Sequence, residues 1–168
     1  SLLHRLIQSL PDLPPAQRAA AAGDYLRRNR VRLSEDDCAL IAQQALAILD
    51  DPRFGALFAP GSRAEVPVVG MLPRDGRPPY SVTGQIDRLV VTDGEVLIAD
   101  YKTNRPAPIA LADVPRAYRQ QLALYRALLQ RIYPGRAVRA ALLWTDNATL
   151  MELSGEALDA EMVALTGA

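Results

Sequence analysis

The sequence predicts an α/β domain, a mixed β-sheet flanked by helices with an N-terminal helical segment ahead of it. Three observations predict this class. The hydrophobic period is helical through residue 50 and turns extended after residue 62. Asp93-Gly94 joins two β-rich runs as a hairpin. A long helical pattern then separates that hairpin from two further β-rich runs. A chain of 168 residues fits one domain over 1–168, with a helical segment at 1–50 and a core at 62–168.

The elements follow in order. "LLHRLIQSL" is the first helix, broken by the region from Pro11 to Pro15. A second runs from Ala16 to Asn29, and a third starts after a Ser34 cap with Asp37 three residues on. Residues 51–62, rich in Pro and Gly, connect to the strand "RAEVPVV". A loop with Pro73, Gly76, Pro78 and Pro79 leads to the strands "YSVTGQIDRLVV" and "EVLIADYK". A loop from Thr103 to Asp113 precedes a helix from Val114 to Tyr133, stopped by "PG". "AVRAALLWT" and "ATLMEL" are two more strands, and a closing helix runs from Gly155 onward.

Composition excludes several classes. With 49% hydrophobic and 23% charged residues the chain is neither disordered nor fibrous. No apolar run is long enough to span a bilayer and no signal peptide is visible, so no membrane partner is expected. The single cysteine, Cys38, precludes an internal disulfide, and a reducing cytoplasmic setting is the default. Its helical, small-residue surroundings predict a packed thiol. Nineteen acids balance nineteen bases, which gives no overall attraction for nucleic acid. From Arg105 to Arg139, however, there are seven arginines and one acid, Asp113. That excess could touch phosphates, or simply solvate a helix face. The chain opens without a methionine and is expected to be a piece of a longer protein.

Lys102 is the only lysine, and its position can be counted. A two-residue type I′ turn at Asp93-Gly94 sets Thr92 opposite Glu95, so opposed residues sum to 187. Asp87 then faces Asp100, and Lys102, two residues on, shares their face with Gln85 opposite it. Both faces of the hairpin are otherwise largely apolar, so the carboxylates repel in a covered sheet and lose hydration. Lys102 alone would leave negative charge over, whereas a divalent cation with oxygen ligands answers the imbalance better. A lysine beside it suits proton handling because its pKa shifts readily, unlike that of arginine. His4, the only histidine, lies at the edge of the first helix's apolar stripe. It is either a boundary residue or an imidazole ligand. Gln121 and Tyr125 are i, i+4 neighbours, with Tyr118 one turn before on the same side. Glu65 in "AEVPV" is a further candidate acid.

These residues resemble the motifs of the PD-(D/E)XK nuclease superfamily, in its RecB-type exonuclease branch. "GQIDRL" resembles G-x-I-D-R with Asp87 as its acid, and "IADYKT" resembles D-Y-K-T with Asp100 and Lys102. "QLALY" resembles Q-x-x-x-Y, giving Gln121 and Tyr125, and "LLHRLIQSLP" resembles the upstream histidine motif, giving His4. The order and spacing of all four agree with that branch. Within it, "HRLIQSLPDLP", "AEVPVVG" and "RAALLWTD" look most like the C-terminal nuclease domain of AddA-type helicase–nucleases. A Walker A sequence is absent, so any motor lies outside this chain. With one cysteine the chain holds no iron–sulfur cluster of the kind AddB-type relatives carry on four.

The resemblance implies a restriction-endonuclease-like core and metal-dependent hydrolysis of DNA during double-strand break processing. His4, Asp87, Asp100 and the Tyr101 carbonyl would hold Mg²⁺, or Mn²⁺, which polarises the scissile phosphate and acidifies the attacking water. Lys102 would position that water and offset developing charge, with Gln121 and Tyr125 organising Lys102 or the DNA backbone. Glu65 is a secondary catalytic candidate. Arg105, Arg116, Arg119 and Arg126 could follow a single strand delivered by the motor. The implied partners are DNA, helicase domains of a longer chain and an AddB-type subunit, in a bacterial cytoplasm. Two alternatives stay open: a catalytically silent DNA-binding or docking module, and a stand-alone repair or phage nuclease.

Overall fold

The first residues are helical because their apolar side chains recur at helical spacing and their ends are capped. Helix α1 (Leu2–Ser9) starts at Ser1, whose hydroxyl accepts the His4 N–H at 3.2 Å, and it buries Leu3, Leu6 and Ile7. Helix α2 (Pro15–Asn29) opens on a proline, which has no N–H to leave unsatisfied. Helix α3 (Glu35–Asp50) carries the expected capping box, with Asp37 N–H donating to Ser34 Oγ and Ser34 N–H to Asp37 Oδ2, both at 3.0 Å. Helix α4 (Gly55–Phe58) follows and buries Leu57 and Phe58. Cys38 is buried on α3, as a packed thiol should be. The structure is a computed structural model that describes residues 1–29 and 31–167. It divides into two units, Ser1–Ala64 and Glu65–Ala168.

The second unit is built on a five-stranded sheet in the order β1-β2-β3-β4-β5. Its strands are β1 (Arg63–Arg74), β2 (Arg77–Val91), β3 (Glu95–Lys102), β4 (Ala137–Trp144) and β5 (Thr149–Leu153). Helix α5 (Arg116–Ile132) connects β3 to β4, which therefore run parallel, and α6 (Gly155–Thr166) closes the chain. The pairs β2–β3 and β4–β5 are antiparallel, so the sheet is mixed. Leu122, Ala123, Leu128 and Leu129 of α5 share one buried cluster with Val96, Ile98, Ala140 and Leu142 of the central strands. Among the described residues no helix is long and apolar enough to cross a membrane.

Three expectations need correction. The loop expected around Pro73, Gly76, Pro78 and Pro79 is a tight hairpin, with Asp75-Gly76 alone between β1 and β2 and Gly76 at φ +63. The prolines read as strand breakers, but β1 is an edge strand and Pro78 and Pro79 sit at the start of β2, where a missing N–H is tolerated. Gly94 lies outside the left-handed region that a type I′ turn needs. The turn is closed instead by Thr92, whose N–H and hydroxyl reach the Glu95 carbonyl at 2.9 and 3.2 Å. The Gly94 carbonyl accepts the Ala137 N–H at 3.1 Å, which ties the turn to the start of β4. The register is as counted nonetheless, with Val91 opposite Val96 and Arg88 opposite Ala99. Finally, α5 starts at Arg116 rather than Val114, because Val114 and Pro115 are both extended.

Candidate active site

The counted hairpin brings the two aspartates together at the end of its regular ladder. Beyond Arg88–Ala99 a continued ladder would aim the Tyr101 N–H at Ile86, but it donates to Asp87 Oδ2 at 2.8 Å. Asp87 N–H in turn donates to Asp100 Oδ1 at 3.3 Å. Each carboxylate thus takes a backbone amide beside the other, which fixes both in the strand frame. A strand residue's C=O leaves on the same side as its N–H, so the Tyr101 carbonyl points toward β2, where these carboxylates stand. Asp100 is 2% exposed, so its charge is held with little help from bulk water.

Lys102 lies on the same face and its ammonium is held from three directions. It is 3.8 Å from Asp100 Oδ2, donates to Gln121 Oε1 at 3.1 Å, and stands 4.2 Å from the centre of the Tyr118 ring. The backbone beneath it is fixed by Thr145, whose N–H and hydroxyl donate to the Lys102 carbonyl at 3.0 and 3.2 Å. Gln121 gives its amide to the Tyr125 hydroxyl at 3.3 Å. Burial, then the nearby Asp100 charge, raises the Tyr125 pKa, so this phenol stays protonated. Tyr125 also rests on Gly84, where an added Cβ would lie 2.1 Å from the phenol oxygen. The glycine of "GQID" is therefore required by the close approach of α5 to β2.

The opposite side of the hairpin carries a group that the sequence reading passed over. Arg88 is fully buried, and its Nε lies 3.4 Å from the Tyr101 hydroxyl. Burial pushes the Tyr101 phenol up to about 12 despite that arginine. A buried cation behind the buried Asp100 and the half-buried Asp87 lowers the cost of keeping such carboxylates charged. Parity along β2 could have revealed it, since Arg88 interrupts an otherwise apolar face.

The remaining candidates fall as follows. Gln85, counted opposite Lys102, is exposed and gives its amide to the Glu65 carbonyl at 3.2 Å. Glu65 itself is exposed, at φ +49. His4 is half-buried on α1, in the first unit. Among the described residues no group of three or more His, Cys, Asp and Glu side chains is gathered as a metal set. The arginines all have acidic neighbours: Arg105 lies 3.8 Å from Asp146, Arg116 3.5 Å and Arg119 3.3 Å from Glu161, and Arg126 2.8 Å from Asp159. These four arginines are thus answered by acids from the β4–β5 turn and α6. A polar groove of about 260 Å³ opens beside Gln121 and Tyr125, with Tyr80, Ser81, Thr83 and Gln120 in its walls. A second cavity, about 360 Å³, belongs to the helical unit around Leu26 and Cys38 and is lined by only one carboxylate, Glu35.

A mixed sheet with two carboxylates and a lysine on one face of adjacent strands, at the C-terminal end of β3, defines a restriction-endonuclease-like α/β protein. A family model described as the PD-(D/E)XK nuclease superfamily matches residues 1–164, and the chain belongs to that superfamily. Its members are nucleases, so the chain is a nuclease-type hydrolase domain. No curated protein matches it. Among solved structures, "Crystal structure of SSO0001" is similar at 12% identity, with 92% of this chain and 87% of that chain covered and a TM-score of 0.40. That likeness is too distant to inform the site.

Nucleases of this superfamily typically use divalent metal ions, and the donor set here fits one. Asp87 and Asp100 offer hard carboxylate oxygens, and the Tyr101 carbonyl is on their side of β3. These oxygens share one face of the hairpin with the Lys102 ammonium, 3.8 Å from Asp100 Oδ2, and form the kind of hard oxygen donor set that divalent cations take.

Proposed function

We propose that this chain is a metal-dependent DNA exonuclease domain that trims ends at double-strand breaks for recombinational repair. The interlocked Asp87–Asp100 pair with Lys102 held beside it is the observation that carries the reading. Asp87, Asp100 and the Tyr101 carbonyl would hold Mg²⁺, with Mn²⁺ an acceptable substitute and His4 a further ligand. Bound there, the ion supplies Lewis-acid polarisation of the scissile phosphate. Lys102, tied by Gln121, presents an ammonium where negative charge grows on the phosphoryl oxygens and orients the attacking water. Tyr125, kept protonated, holds Gln121 in place and offers its hydroxyl to the DNA backbone. The groove beside them gives a strand a path away from the carboxylates, with hydroxyl and amide walls suited to sugar and base. Glu65 keeps a secondary place as an acid at the rim, and Arg105, Arg116, Arg119 and Arg126 as weak phosphate contacts.

The motif resemblance supports a role inside an AddA-type helicase–nuclease, one domain of a longer bacterial cytoplasmic chain paired with an AddB-type subunit. A motor that unwinds DNA would also explain how a chain with balanced charge meets its substrate. End dependence tests the exonuclease reading. With Mg²⁺ present, end-labelled linear single strands should be degraded and covalently closed circles of the same sequence left intact, and EDTA should stop the reaction. Circles cut as fast as linear strands would make the protein an endonuclease.

A further inference from the structure

Tyr118 belongs to none of the acid, lysine or glutamine–tyrosine motifs, yet its ring is a wall of the lysine's site. The Lys102 ammonium lies 4.2 Å from the ring centre, well inside the range where an aromatic face attracts a cation. The ring is fixed at both ends. Its hydroxyl donates to Asn104 Oδ1 at 3.0 Å, and its body leans on Trp144 with centroids 6.2 Å apart and planes tilted by 43°. Trp144 is fully buried and is the residue paired with Lys102 across β3–β4, so the support comes from the same rung of the sheet. Tyr118 also precedes Gln121 by one helical turn, so α5 brings both groups to the lysine together.

We propose that Tyr118 is a positioning residue for Lys102. Its ring face closes the side that Gln121 and Asp100 leave open, and so restricts a long, flexible side chain to one placement of its ammonium. Asn104, two residues after Lys102, sets the ring's tilt through the phenol, so the "YKTN" segment carries both the cation and the anchor of its wall. Loss of the ring lets Lys102 sample other rotamers, lowering the fraction of molecules in the productive arrangement without altering how DNA binds. This rests on the nuclease reading only for its kinetic consequence; the placement of Lys102 is separate from it.

The single lysine makes the test clean, because ¹³C,¹⁵N-lysine labelling of the chain yields one side-chain signal set. In the wild type the Lys102 ε-methylene and ammonium protons should be shifted upfield by the ring. Tyr118→Leu should return them to the free-lysine position, and Tyr118→Phe should keep most of the shift, with backbone amide spectra otherwise preserved in both. In DNA hydrolysis Tyr118→Leu should lower kcat about 10-fold, comparable to a desolvated cation–π contact, with KM within about twofold. Tyr118→Phe should restore most of kcat. A lysine signal unchanged by Tyr118→Leu overturns the inference whether or not DNA is cut. A wild type that shows the ring shift but hydrolyses no DNA leaves the inference standing and removes the nuclease reading instead.

Discussion

Lys102 concentrates the functional argument because each of its contacts can be removed singly. Lys102→Ala should lower kcat by about 10²–10³, the range for losing a preorganised electrostatic group. Lys102→Arg should rescue little, since a planar fork cannot keep both the 3.1 Å bond to Gln121 and the place over Tyr118. Tyr125→Phe, which loses the 3.3 Å hydrogen bond from Gln121 and a backbone hydrogen bond at Gln85, should cost far less, and kcat measured across the three variants gives the order. On the reverse face, Tyr101 makes a prediction about pH. Its folded pKa of about 12 exceeds the ordinary 10.0, so its contribution to stability is complete below pH 10 and fades as pH rises toward 12. Urea midpoints should therefore fall across that window, and Tyr101→Phe should flatten the decline. At this scale the sequence was informative where chemistry is local: Asp87, Asp100 and Lys102 follow from a turn and a count. Arg88 was open to a parity count along β2, but Asn104 and Trp144 did not stand out, since their partners come from strand pairing and helix packing that a single run of residues does not show.

Among the elements, the β2–β3 hairpin and α5 do most of the positioning, and Gly84 leaves no room for a side chain between them. Gly84→Ala would force a methyl onto Tyr125, whose ring carbons would lie 2.8 and 2.9 Å away, so the whole ring must move rather than only its tip. The expected cost is about 1–3 kcal/mol of stability, read by thermal or urea unfolding, with lowered activity as Gln121 loses its support. In the helical unit, Ser34→Ala should cost about 1 kcal/mol by removing the α3 capping box, measured the same way. Elements with strong end signals were legible: α3 from Ser34 and Asp37, β3 from its bounds, α5 from its long periodic face. The β1–β2 hairpin was not, because proline's local veto on strands is lifted for Pro73 on the edge strand β1 and for Pro78 and Pro79 at the start of β2. The Asp93-Gly94 turn shows the complementary case, in which loop length fixed the register although the turn type differed.

For the molecule as a whole, the mixed sheet gathers the chemistry by connectivity. An antiparallel hairpin sets Asp87 beside Asp100, and the parallel return through α5 lays Gln121 and Tyr118 over Lys102, with Tyr125 behind Gln121. The distribution of charge was only partly legible at this scale. Arginines clustered in sequence meet Asp146, Asp159 and Glu161 from later elements, pairings that depend on the tertiary fold. Metal binding should appear as whole-chain stabilisation, since an ion held only by the folded state raises the melting temperature with its concentration. Mg²⁺ added to EDTA-treated protein should raise Tm for the wild type and not for Asp100→Asn. The central claim, that Asp87, Asp100 and Lys102 form a hydrolytic centre, is tested most directly by the Mg²⁺-dependent rate of DNA degradation by the wild type, Asp100→Ala and Lys102→Ala. We predict that both variants, folded as judged by circular dichroism, lose nearly all of the wild-type rate; digestion by either as fast as the wild type would contradict the claim.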